Sequence, residues 1–239
     1  MILFPIVAAG ISAVFAAVLL RRWAQRRTLP LLAWGIALAM YALASVTVIL
    51  GVASRWDATL YRIFWLFGVM LNVPWLALGS IALIGGKAVR VVSAIVVSAL
   101  SVYALVLVVG ADPNTERLAS VDDIPRGSEI WAAGDPVQSI GRWYSIVAWV
   151  VVVGIAVWSS RSRKGMKPPV ARVRANSLIA AGATITAIGG FALARIGGGA
   201  AVGGFSVALA AGVTVMFAGF LLSGRAPRFT VEDPGESPT

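Results

Sequence analysis

The stretch YRIFWLFGVMLNVPWLALGSIAL, from Tyr61 to Leu83, decides the fold. After Arg62 it carries no charge, and it supplies the roughly 20 residues a helix needs to cross ~30 Å of hydrocarbon. Its residues are apolar on every side instead of alternating, which predicts a helix and not a β-barrel strand. Tyr61, Trp65, Gly68, Asn72, Trp75 and Gly79 recur at steps of three and four, so they share one helix face. Phe64, Phe67, Leu71 and Leu78 on the opposite side are expected to meet lipid. Gly68 and Gly79 let another backbone approach, and Asn72 needs a partner because hydrocarbon offers none. Pro74 has no N–H for the carbonyl near residue 70, so a kink is expected beside the asparagine.

Similar runs fill most of the chain. Of its 239 residues 59% are hydrophobic and 13% charged, against about a quarter charged in a soluble domain. The pattern predicts an all-α, polytopic transmembrane bundle of about seven helices over residues 1–222. Spans are expected near 2–20, 31–52, 59–84, 88–110, 142–159, 175–196 and 201–222, the fifth being the shortest. Pro30 opens the second, Gly85 and Gly86 end the third, and Gly110 with Asp112 and Pro113 stops the fourth. Segment 111–141 reads as an outer acidic loop forming a polar cap. Residues 223–239, rich in Pro, Gly and small polar side chains, read as a disordered cytoplasmic tail.

Charge sets the expected orientation. The first span lacks a basic leader and is followed by Arg21, Arg22, Arg26 and Arg27, the reverse of a signal peptide's order. With the N-terminus outside and the C-terminus in the cytoplasm, the two sides carry +11 inside and −1 outside of the net +10. Every inner loop is basic in that arrangement, as the positive-inside rule requires. Trp56, Tyr61, Trp131, Trp143 and Tyr144 are expected near the outer interface, and Trp23, Trp34 and Trp158 near the inner one, as aromatic anchors.

Function is far less legible. The chain has no cysteine and no histidine, which excludes disulfides, thiolate metal sites, histidine-ligated haem and histidine acid–base chemistry. No carboxylate lies within a predicted span, and no catalytic, cofactor-binding or metal-ligating set is discernible; no cofactor is expected. The acidic loop lacks the spacing of a calcium loop, since Asp122 and Asp123 are adjacent. The basic residues flank apolar spans, so they point to the lipid bilayer as partner and not to nucleic acid.

Two candidate sites remain. Trp65, Asn72, Pro74 and Trp75 form either a midplane pocket, as broken helices provide in transporters, or a helix-packing site worth roughly 0.6–2 kcal/mol per polar contact. Packing is the favoured reading. Arg195, the only charge between residues 175 and 224, is a candidate contact for an anion or lipid headgroup, set against plain snorkelling at a helix end. Gly182, Thr186, Gly189 and Gly190 face a row of Gly204, Ala208 and Gly212, so the last two helices are expected to pack as a tight hairpin. Ala9, Ala13 and Ala17 make a similar row on the first helix.

The topology resembles that of microbial rhodopsins, but the last span has no lysine for a retinal Schiff base. It also resembles the sugar-transporting SWEET family, whose PQ-type motif and paired helix-centred prolines are missing here. The aspartate-rich motifs of prenyltransferase-like membrane enzymes are absent too. The run at 61–83, with the Ala, Val and Arg bias, resembles uncharacterised multi-pass membrane proteins of GC-rich prokaryotic genomes, which implies a place in the cytoplasmic membrane. The expected role is a non-enzymatic accessory or scaffold subunit with membrane-protein partners. A small permease for a neutral or amphipathic solute, with a site around Asn72, is the alternative, and a lipid-acting membrane enzyme the least supported.

Overall fold

The computed structural model describes residues 3–122, 124–160, 170–196 and 200–223. Helix α1 (Leu3–Arg26) is followed by α2 (Leu29–Ser54). The next span is composite: α3 (Ala58–Ile63), a π-helical segment (Phe64–Leu71) and α4 (Asn72–Ile84). Then come α5 (Lys87–Gly110), the short α6 (Thr115–Ser120) and α7 (Gly127–Ile130), and the long α8 (Pro136–Ser160), α9 (Val170–Ile196) and α10 (Ala200–Ser223). Among the described residues there is no strand.

Among the described residues, five helices are long and apolar enough to cross a membrane: Leu3–Arg26, Leu29–Ser54, Ala58–Ile84, Lys87–Gly110 and Pro136–Trp158. In α9 and α10 the apolar described parts are Ser177–Gly189 and Ala210–Gly219. The fifth span begins at Pro136, six residues before the expected 142, because its start is fixed by a cap. Asp135 Oδ1 accepts from Val137 N–H at 2.8 Å, and proline tolerates the first helical position, where its missing N–H costs nothing. Asp57 caps α3 in the same way, accepting from Leu60 N–H at 2.7 Å. The basic run 161–169 and the tail from residue 224 lie outside the described residues.

The third span is the centre of the bundle, packing against α2, α5 and α8. This corrects one expectation. Phe64, Leu71 and Leu78 are buried, and Phe67 is partly so, instead of facing lipid. Leu78 packs with Ala33 and Val97, because α5 covers the side that a two-faced helix would leave exposed. Helix α5 is the peripheral one and turns Val92, Ile95, Val102, Val106 and Val109 outward.

The expected hairpin of the last two helices is present. Gly182 and Gly212 meet backbone to backbone: a Cβ on Gly182 would lie 2.5 Å from the Gly212 carbonyl oxygen, and one on Gly189 would strike Ala208 Cβ. In α1 the buried ridge is Pro5, Ala8, Ser12, Ala16 and Leu19, whereas Ala13 and Ala17 of the alanine row remain exposed.

Candidate functional site

The four third-span residues singled out from the sequence surround a change of helical register. Over Phe64–Leu71 the backbone bonds five residues apart, and from Asn72 onward four apart. Proline at 74 can serve neither Met70, its acceptor at α spacing, nor Val69, its acceptor at π spacing. A carbonyl at this junction must therefore look outside the helix. Ser145 on α8 answers it, its Oγ donating to Val69 O at 2.7 Å. The freed carbonyl was expected near residue 70 and is met one residue earlier, as π spacing requires.

The two tryptophans diverge. Trp65 Nε1 donates to Val137 O at 3.4 Å at the head of α8, while Trp75 Nε1 donates to Ser101 Oγ at 3.1 Å on α5. Ser101 in turn donates to Val97 O at 2.7 Å. A third indole reaches the span from α2, Trp34 Nε1 donating to Leu76 O at 3.1 Å. Pro74 is buried, and so is Asn72 at 2% exposure, with its Oδ1 lacking a hydrogen-bond partner among the described residues. The four residues thus bracket one backbone break without converging on a common space.

Two spaces stand out, and neither touches these four residues. An open groove of about 380 Å³ between α1 and α10 is lined by Phe4, Val7, Val207, Ala210, Ala211, Thr214 and Val215. A space of about 40 Å³ lies among Leu19, Trp34, Leu38, Leu76, Ile179, Val213, Met216 and Phe217. Both walls are almost wholly apolar, so neither offers the convergent polar groups that orient a solute.

The segment between α5 and α8 closes one end of the bundle with more than polar residues. Leu118, Ile130 and Trp131 are buried beneath it, packed with Trp56, Tyr61, Phe64 and Trp65. Tyr61, wholly buried, is the hub, with ring centroids 5.8 Å from Trp65 and 5.5 Å from Trp131. Such tilted pairs add about 0.5–1.5 kcal/mol each beyond area burial. Gly127 admits the contact, since a Cβ there would collide with the Trp65 ring. Arg62 anchors the segment's start, Nη2 donating to Ala111 O at 2.7 Å beside Asp112 at 3.6 Å, and Arg55 Nη1 donates to Ala119 O at 3.2 Å.

Trp56, Tyr61 and Trp131 are therefore core residues and not surface anchors, and Trp34 is likewise buried. Trp143 and Trp158 are exposed on the surface of the bundle. The inward role of Trp131 is not legible in a loop read for its charge. Arg195 falls in the last turn of α9, but its side chain, like Asp123, lies outside the described residues. Among the described residues no group of three acidic, histidine or cysteine side chains is placed to hold a metal ion. Compared with protein-family models, curated proteins and solved structures, the chain matches none of them.

Proposed function

We propose that this chain is a seven-span protein of a prokaryotic cytoplasmic membrane, N-terminus outside, acting as a non-enzymatic accessory or scaffold subunit for other membrane proteins. One observation carries the reading: apart from Asn72, the third-span groups that would line a solute path, two indoles and a freed carbonyl, are spent on neighbouring helices. Trp75 is bonded to α5, Trp65 to the head of α8, and the Val69 carbonyl to Ser145. The outward rows support a partner-facing role, for Ala13 and Ala17 leave room for another helix to approach α1. The orientation rests on the charge bias, +11 against −1.

Two measurements test this. The chain has no native cysteine, so single cysteines at Ser128 and Gly86 report topology directly. A membrane-impermeant maleimide should label S128C on intact cells and G86C only after permeabilisation; the opposite pattern overturns the orientation. In-membrane crosslinking from A13C and A17C should trap a defined second membrane chain, and crosslinks to lipid alone would refute the scaffold reading.

A small permease for a neutral solute is the second reading, favoured by the buried, unpartnered Oδ1 of Asn72. Proteoliposomes that take up no neutral solute faster than protein-free vesicles would eliminate it.

A further inference from the structure

Most intramembrane hydroxyls here bond backward to their own helix. Ser45, Ser80, Ser101, Thr184, Thr186 and Thr214 each donate to the carbonyl four residues earlier. Eight buried side-chain atoms have no partner among the described residues, and three of them, Ser12 Oγ, Tyr41 OH and Asn72 Oδ1, fall on α1, α2 and α4. Their exposures are 1%, 5% and 2%. Each such orphan is costly where no solvent reaches.

Two contacts fix how α2 and α4 lie against each other. A Cβ on Gly79 would enter the Trp34 ring, and one on Gly68 would lie 3.0 Å from Ala44 Cβ. The helices therefore run antiparallel, and between those contacts, about a third of the way from the Gly68 one, residue 72 lies opposite residues 40 and 41. Within α4, Asn72 shares a face with Leu76 and Gly79, and Tyr41 sits on the Trp34, Tyr41, Ala44 ridge of α2, so both occupy one interface at one depth. Leu76, one turn along the Asn72 face, packs against the cluster that holds Tyr41. From α1 the buried ridge through Ala16 reaches the same cluster, and Leu20 against Gly35 puts Ser12 opposite residue 43, within a turn of Tyr41.

We propose that Tyr41 and Asn72 hold a buried water molecule between α2 and α4, with Ser12 as its third partner. The chemistry is complementary. Tyr41 O–H donates to the water oxygen, the water donates to Asn72 Oδ1, and its second hydrogen or lone pair meets Ser12 Oγ. Buried waters make about three such bonds to groups the protein leaves unpaired. The neighbouring 40 Å³ space is walled by apolar side chains and stays dry. The inference is independent of the scaffold reading, since one water enclosed by three side chains is a structural ligand and not a path.

Infrared difference spectra of the reconstituted protein in H₂¹⁶O and H₂¹⁸O test it, alongside equilibrium unfolding in mixed micelles. The wild type should show an isotope-shifted O–H stretch from an isolated water, absent in Tyr41→Phe/Asn72→Leu. Asn72→Leu should lower the folded-to-unfolded ratio about tenfold, and the double variant should cost about fivefold less than the product of the singles. Three results overturn the proposal. Asn72→Leu raising stability would mean a true orphan, coupling without an isotope band would mean a direct Tyr41–Asn72 bond, and an unchanged band in the double variant would place the water elsewhere. Should Asn72→Leu fail to fold, loss or persistence of the band in Tyr41→Phe alone decides.

Discussion

Ser145→Ala removes the hydroxyl that donates to the Val69 carbonyl at 2.7 Å, at the point where the third span passes from π to α spacing. A buried acceptor stripped of its donor costs about 1–3 kcal/mol in general, and polar contacts between membrane helices average ~0.6 and reach ~1.7 kcal/mol. We expect about 1 kcal/mol, a fivefold fall in the folded-to-unfolded ratio in mixed-micelle unfolding, while Ser145→Thr, which keeps the hydroxyl, falls less. The cause can be isolated because the demand on Ser145 originates at Pro74. In Pro74→Ala the restored N–H can reach Val69 at π spacing or Met70 at α spacing, and either relieves the carbonyl from within. Ser145→Ala should therefore cost under ~0.3 kcal/mol in the Pro74→Ala background, a coupling that a double-mutant cycle reads directly. Equal costs in both backgrounds would refute the reasoning, whatever Pro74→Ala does alone.

The glycines give two further contrasts. A Cβ at Gly212 would collide with Thr186 Oγ1 and lie 2.7 Å from the Gly182 carbonyl oxygen, whereas one at Gly154 meets nothing within 4 Å. Gly212→Ala should thus cost about 1–3 kcal/mol by thermal unfolding and Gly154→Ala should stabilise by up to ~1 kcal/mol; the reverse order would dismiss the α9–α10 contact. Gly127→Ala drives a methyl into the Trp65 ring, 2.7 Å from Cζ3, and should loosen the cap. Tryptic cleavage at Arg117 and Arg126 should accelerate several-fold in that variant, and an unchanged rate would mean that the cap does not depend on this contact.

The long helices were legible because hydrocarbon imposes a simple rule, a chargeless run about 20 residues long. Observed spans such as Lys87–Gly110 and Ala58–Ile84 sit within a residue of those read from the sequence, 88–110 and 59–84. Helices overrun the apolar stretch where backbone pairing continues into charged sequence, as α1 does through Arg21 to Arg26. Face assignment on the third span failed for two reasons. A 100° step between residues does not hold through the π segment, and a central helix has no lipid side whatever its pattern. The buried cap residues Leu118, Ile130 and Trp131 escaped notice because apolar residues scattered through an acidic loop carry no period. At the candidate site, Asn72 and Pro74 fall where π spacing gives way to α spacing, but Ser145 and Ser101 were invisible, since a lone serine in an apolar run points to no partner.

A π segment inside a helix can serve as a hinge or as a lock, and the bonds around this one favour the lock. Among the described residues, four side-chain bonds tie the π segment and α4 to their surroundings: Trp34 to Leu76, Trp65 to Val137, Trp75 to Ser101 and Ser145 to Val69. At ~0.6 to ~1.7 kcal/mol each they sum to about 2–7 kcal/mol. A form in which the span swung free of its neighbours would then hold about 2% of the molecules at the weak limit and about 0.001% at the strong one. A transport cycle would have to recover that energy from a solute's own contacts, and the spaces nearby offer apolar walls with which a polar solute gains nothing. The same bonds in a scaffold require no compensation, because together they join three neighbours, α2, α5 and α8, to one fixed register. The break then acts as the point where α8 is keyed to the third span, and sliding α8 by one residue would leave the Val69 carbonyl without its donor.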